Sequence, residues 1–144
     1  MVKEVSIYEQ RVSPEMNEKL DAIEVTMNCM PQTECPVNHL FVEGAYARQI
    51  FMKAGTLIIS QIHKTQHFFV VTQGSAMVKI NDDKWIKVEA PYYGVTHPGT
   101  RRLLYILEDC VWTTYHATKK NNVSDIADEI LEKHENKFLL SENV

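Results

Sequence analysis

His63 and His67 are the side chains whose type and spacing best suit chemistry. They sit in Gly55-Thr-Leu-Ile-Ile-Ser-Gln61-Ile-His63-Lys-Thr-Gln-His67-Phe-Phe-Val-Val-Thr-Gln-Gly74, where two apolar strand-like runs meet between bracketing glycines. A short Lys-Thr-Gln connection can fold both imidazoles back toward one interior, where they could bind a metal or a small molecule. Gln61 and Lys64 flank the pair and add polar donors. Arg101 and Arg102 offer planar forks that suit phosphate or carboxylate. They alternate along an extended chain, so only one of them can face inward. Tyr93 and Trp112, with Tyr92 and Tyr115, offer flat surfaces for a base or sugar. His97 and His116 could complete a metal set begun by His63 and His67.

Other catalytic patterns are missing. The sequence has no phosphate-cradling glycine loop, no Gly-x-Ser-x-Gly elbow and no His-Glu-x-x-His. Cys110 lies next to Glu108 and Asp109, whose charge disfavours a thiolate. Cys29 and Cys35 are too widely spaced for a usual zinc pair, so we expect three free thiols.

Strands must position these residues. Apolar, branched or aromatic runs at 46–52, 57–63, 68–71, 76–80, 85–88, 92–96, 103–107 and 111–116 are separated by Gly- and Asn-containing turn signals, including Asn81-Asp-Asp. Eight short strands with no helices between them predict a sandwich or barrel over 37–118. An N-terminal arm, residues 1–36, carries a helix opening at Ser13-Pro14-Glu15 and ending before Pro31, with Met16, Leu20, Ile23, Met27 and Met30 as its stripe. A C-terminal helix is expected over 122–140, capped by Asn122 or Ser124. His134 on its apolar stripe reads as a packing or edge histidine.

The 144 residues suit one domain, and 24% charged residues suit a globular protein. No apolar run approaches the roughly 20 residues of a membrane span. The opening residues show no export signal, so a cytoplasmic location is expected. Residues 1–44 hold 3 basic and 8 acidic side chains, residues 45–107 hold 8 and 3, and residues 108–144 hold 4 and 8. A positive centre between acidic flanks argues against a nucleic-acid polymer and is compatible with a confined anion site.

The central segment resembles the first motif of the cupins: glycine, five residues, His-x-His, three or four residues, glutamate, six residues, glycine. Gly55, Gln61-Ile-His63, His67 and Gly74 keep that frame, with Gln61 in the first histidine position and His67 in the glutamate position. Pro98-Gly99-Thr100-Arg101-Arg102 is similar to the second motif, with an arginine in place of its histidine; counting from the motif favours Arg102 as the inward one. The resemblance implies a mostly β fold, a double-stranded β-barrel or jelly roll with an N-terminal and a C-terminal flanking helix, of the small kind found in bacterial and phage genomes. Cupins carry four ligands for iron, manganese, nickel or zinc, of which at most two imidazoles are kept here. The substitutions turn a cation site into a donor-rich one. We therefore expect a pocket for a small anionic molecule, of sugar phosphate or nucleotide type, which the protein could sequester. Two alternatives stay open. One is a metal-dependent dioxygenase, isomerase or lyase using His63 and His67; the other is an interaction protein with a filled barrel. Cupins commonly pair, so a homodimer is expected in each case.

Overall fold

The computed structural model describes residues 3–4, 11–81 and 84–142. The last two residues of the expected Asn81-Asp82-Asp83 turn lie outside them. The chain runs β1 (Lys3–Glu4), α1 (Pro14–Asn28), β2 (Val37–Val42), β3 (Ala45–Met52), β4 (Leu57–Ile59), β5 (His67–Lys79), β6 (Ile86–Glu89), β7 (Tyr92–Thr96), β8 (Leu103–Ala117), α2 (Val123–Ile130) and α3 (Lys137–Glu142). One sheet holds all eight strands in the order β1-β7-β5-β8-β3-β2, with β4 on β8 and β6 on β5. The pairing is antiparallel except between β1 and β7. The path does not close on itself among the described residues. Mostly β architecture with flanking helices is as the sequence implies.

Alternation along the strands separates an inner from an outer face. Phe69, Val71, Ala76, Val78, Tyr92, Ile106 and Trp112 pack as the inner core. Phe69 and Trp112 stack face to face with centroids 4.7 Å apart, and Tyr92 follows at 5.8 Å from Phe69. These rings fill the part of the interior that lies below the histidines.

The expected eight strands differ from the observed ones in a consistent way. The runs 68–71 and 76–80 belong to a single strand, β5, and the runs 103–107 and 111–116 to a single strand, β8. Thr72-Gln-Gly74 is a bulge in a continuous strand, where the β5–β8 register shifts between Val71 and Ala76. Gly74 adopts φ +81°, which serves a bulge as well as a turn. β2 was not among the expected runs, and the 57–63 run is a strand only as far as Ile59.

Ser13 caps α1 by accepting from the Met16 backbone N–H at 3.1 Å, with Pro14 in the first turn. Met16 and Leu20 pack on Ile62, Leu103 and Val12. The helix ends at Asn28, and Met30 stands exposed beyond it. The expected 122–140 helix is broken. α2 starts at its Asn122 cap and stops at Leu131, which turns extended, and α3 begins six residues later. The break has a physical cause: residues 130–132 pair with residues 62–64. The Lys64 N–H donates to the Ile130 carbonyl and the Glu132 N–H to the Ile62 carbonyl, with a bridge between His63 and Leu131. Among the described residues no helix is long and apolar enough to cross a membrane.

Candidate ligand-binding site

His67 opens β5 opposite Thr96 of β7, and His116 lies near the end of β8 opposite Tyr46 of β3. His63 is held by backbone on two sides. Its N–H donates to the Thr100 carbonyl, and its own carbonyl accepts from the Gly99 N–H. These placements bring three imidazoles into a row. Ring centroids lie 4.8 Å apart for His63 and His67, and 4.3 Å apart for His67 and His116. Tyr46 continues the row at 5.8 Å from His116, and its hydroxyl lies 2.6 Å from Nδ1 of His39.

The trio is poor in partners. Nδ1 of His67 sits 3.0 Å from the Thr65 carbonyl, which can only accept, so that nitrogen carries the proton and Nε2 presents a lone pair. That Nε2 has no partner among the described residues, and neither do the buried Nδ1 atoms of His63 and His116. Nε2 of His116 lies 2.9 Å from the Thr114 hydroxyl.

Two guanidinium groups set the field. Arg102, 3% exposed, donates from Nη2 to the Thr96 hydroxyl at 2.8 Å and lies over the Phe69 ring at 4.8 Å. Arg48 stands on β3 two residues from the inward Tyr46, half-buried, with no hydrogen bond or ion pair among the described residues. Burial first, then the Arg102 charge, the neighbouring imidazoles and last Arg48, push His63 down to about 2. Burial brings His67 to about 4, opposed by its bond to the Thr65 carbonyl and aided, less strongly, by the Arg102 charge. Burial, His67 and Arg48 bring His116 to about 4. All three are neutral at neutral pH.

The other candidate residues are dispersed. Arg101 points the opposite way from Arg102, donating to Asp21 and Asn17 at 2.7 Å and to Glu24 at 3.1 Å on α1. Gln61 is exposed and lines, with Arg101 and His134, a groove of about 780 Å³ between α1 and the C-terminal segment. Lys64 is exposed, and Tyr93 is exposed on the outer face of the sheet. Trp112 is buried in the ring stack, so its face is taken by Phe69. His97 is half-buried in the loop before Gly99 and makes no ring contact with the trio. Arg48 was missed by sequence reasoning, although its place two residues after a strand tyrosine is the signal that finds it.

A divalent ion does not fit this donor set. Among the described residues no three His, Cys, Asp or Glu side chains are placed to hold one ion. Two fixed positive charges facing the imidazoles add repulsion, and no carboxylate offsets it.

No family model matches the chain, and no curated protein matches it in sequence. Solved structures do match. A Neisseria meningitidis protein superposes with a TM-score of 0.51 at 6% identity, over 66% of this chain and 95% of that one. An RmlC-like cupin family protein with a double-stranded β-helix fold from Methanocaldococcus jannaschii gives 0.50 at 9%, over 61% and 84%. A Klebsiella pneumoniae protein with a double-stranded β-helix domain gives 0.50 at 15%, over 67% and 89%. At such identities the likeness shows the architecture alone: with the strand path, it gives this chain a double-stranded β-helix fold like that of the cupin-type proteins it superposes on.

Proposed function

We propose that the interior binds a small oxyanion, the carboxylate or phosphate of a metabolite, between His63, His67, His116, Arg48 and Arg102. One observation carries the reading: three buried imidazole nitrogens without partners face two guanidinium groups. Buried polar atoms left unpaired cost about 1–3 kcal/mol each, and an anion brings both acceptor oxygens and the compensating charge. Its presence makes protonation of an imidazole easier, so a neutral ring can become a second donor. Arg102 and Arg48 supply charge-assisted hydrogen bonds. A sugar phosphate or nucleotide enters by its phosphate, since the Phe69–Trp112 stack leaves no free ring face on which a base could lie. Capture without turnover suits a site with no activated nucleophile: the Cys110 thiol is buried and pushed up to about 11.

Calorimetry and thermal shift with phosphate, sulfate, sugar phosphates and nucleotides test this. We expect one anion per chain and a raised melting temperature. Arg48→Gln, a half-buried position that leaves the core untouched, should weaken binding about tenfold, in keeping with loss of one charge-assisted bond. Arg102→Lys should weaken it similarly. Melting raised by iron, manganese, nickel or zinc and by no anion would replace this reading with a metal-dependent enzyme. Indifference to both would leave an interaction protein with a filled barrel.

A further inference from the structure

In the histidine row, the backbone fixes the tautomer of one ring. His67, 5% exposed, opens β5, and its Nδ1 donates to the Thr65 carbonyl at 3.0 Å. Its buried Nε2 is therefore a lone pair that can only accept. Burial keeps the ring neutral at neutral pH, so no proton occupies that lone pair. No donor among the described residues bonds to it. The Tyr46 hydroxyl lies 2.6 Å from Nδ1 of His39, and the Thr114 hydroxyl lies 2.9 Å from Nε2 of His116. His116 is not fixed in the same way, because a threonine hydroxyl can donate or accept. Thr96, directly across from His67 on β7, accepts from Nη2 of Arg102 at 2.8 Å. Facing strand partners hold their Cβ atoms about 5 Å apart. A pure acceptor and a donor fork thus stand side by side in the same interior.

We infer, resting on the anion reading above, that the ligand is a hydroxylated acid: its oxyanion goes to the guanidinium groups, and a hydroxyl beside it donates to Nε2 of His67. An oxyanion alone does not meet the site. Its oxygens only accept, so against Nε2 they would set two acceptors face to face and leave both unpaired. Water can give Nε2 its hydrogen while the site is free. A ligand that displaces such a water without replacing that hydrogen loses affinity. An ammonium would also donate, but it would bring a second positive charge beside Arg102 into a buried place. A neutral hydroxyl avoids that repulsion. The closeness of fork and acceptor asks for a hydroxyl one or two carbons from the oxyanion, as in 2-hydroxycarboxylates and in sugar phosphates.

Calorimetry of the full chain at neutral pH with matched pairs tests it: lactate against propionate, and glycerol 3-phosphate against propyl phosphate. In the pair that binds, the hydroxylated member should bind at least about tenfold tighter, since its partner leaves a buried acceptor unpaired. The heat should not depend on the ionisation enthalpy of the buffer, because the ligand and not a captured proton supplies the hydrogen. Alanine, with an ammonium in place of the lactate hydroxyl, should bind no better than propionate. His67→Phe keeps a ring and removes the lone pair, so the two members of the pair should bind it equally. Circular dichroism checks the folding of that variant, and the wild-type pairs decide alone should it fail to fold. Equal affinity within both pairs on the wild type, uptake of one proton on binding, alanine matching lactate, or a hydroxyl preference kept by His67→Phe overturns the inference and leaves the anion reading standing. Binding of none of these acids overturns the anion reading itself, and the inference with it.

Discussion

Three imidazoles that touch one another beneath two guanidinium groups form a cluster that resists protonation, and this has a measurable consequence. His63 is brought to about 2, His67 and His116 to about 4, against an ordinary 6.5 in the unfolded chain. The unfolded state therefore binds more protons between those values, and stability rises with pH there. Neutral imidazoles are fully favourable above about pH 6.5. As pH falls from 6.5 toward 4, each cluster histidine removes about 1.4 kcal/mol of stability per pH unit. Urea midpoints taken at intervals from pH 7.5 to 4.5 should fall with a steepening slope. His116→Gln should flatten that slope in the same series; an unchanged slope would show that the cluster does not govern it. At this scale the sequence was readable where spacing carried the information. Gly55, His63, His67 and Gly74 form a frame, and alternation alone requires Arg101 and Arg102 to part. His116 was a candidate from its place at the end of the last strand run, but its position beside His67, like that of Thr96 beside Arg102, comes from strand pairing, which no local pattern encodes.

Among the elements, β5 and β8 decide the architecture, because each pairs with three other strands. Both look like two short strands in the sequence, since Thr72-Gln-Gly74 and Glu108-Asp109 have the composition of turns. They are instead the two sides of one bulge. Gly74 lies against the Asp109 backbone, so a Cβ there would run into the Asp109 carbonyl, and its φ of +81° disfavours any other residue. Ser75 donates to the Glu108 carboxylate at 2.9 Å across the same kink. A left-handed glycine between apolar runs serves a hairpin or a bulged strand equally well, and only the partner strand selects between them. Gly74→Ala should cost at least about 3 kcal/mol or prevent folding, by combining backbone strain with a clash against backbone. Gly44, also left-handed but with open space where a Cβ would go, is the control: Gly44→Ala should cost only about 1 kcal/mol from strain. Equal losses in urea unfolding would mean that the Asp109 contact gives way easily.

Across the whole molecule, one carboxylate joins parts of the chain that lie more than a hundred residues apart. Asp21 of α1, 4% exposed, accepts from Arg101 Nη1 at 2.7 Å and lies 2.9 Å from Nε2 of His134. Its backbone carbonyl accepts from the Asn136 side chain at 2.9 Å. The helical arm, the sheet and the C-terminal segment therefore meet at a single residue. The same segment, through residues 130–132, lies against His63. None of this was legible beforehand: His134 falls on an apolar stripe and reads as packing, and Arg101 reads as a ligand donor until α1 is docked. Breaking a buried charge pair from one side leaves the other charge uncompensated, at about 3–5 kcal/mol. Arg101 keeps Glu24 and Asn17, so Asp21→Ala should fall near the low end, about 3 kcal/mol. Asp21→Asn should cost less, because an amide oxygen still accepts from Arg101. The loss should be uneven. Hydrogen exchange at the Lys64 and Glu132 amides, which hold the segment to the sheet, should accelerate more than exchange at Phe69 or Val71 in the core of β5. Uniform acceleration would mean that Asp21 holds the fold as a whole. Faster exchange confined to residues 62–64 and 130–136 would establish Asp21 as the clasp that keeps the C-terminal segment against the histidine row.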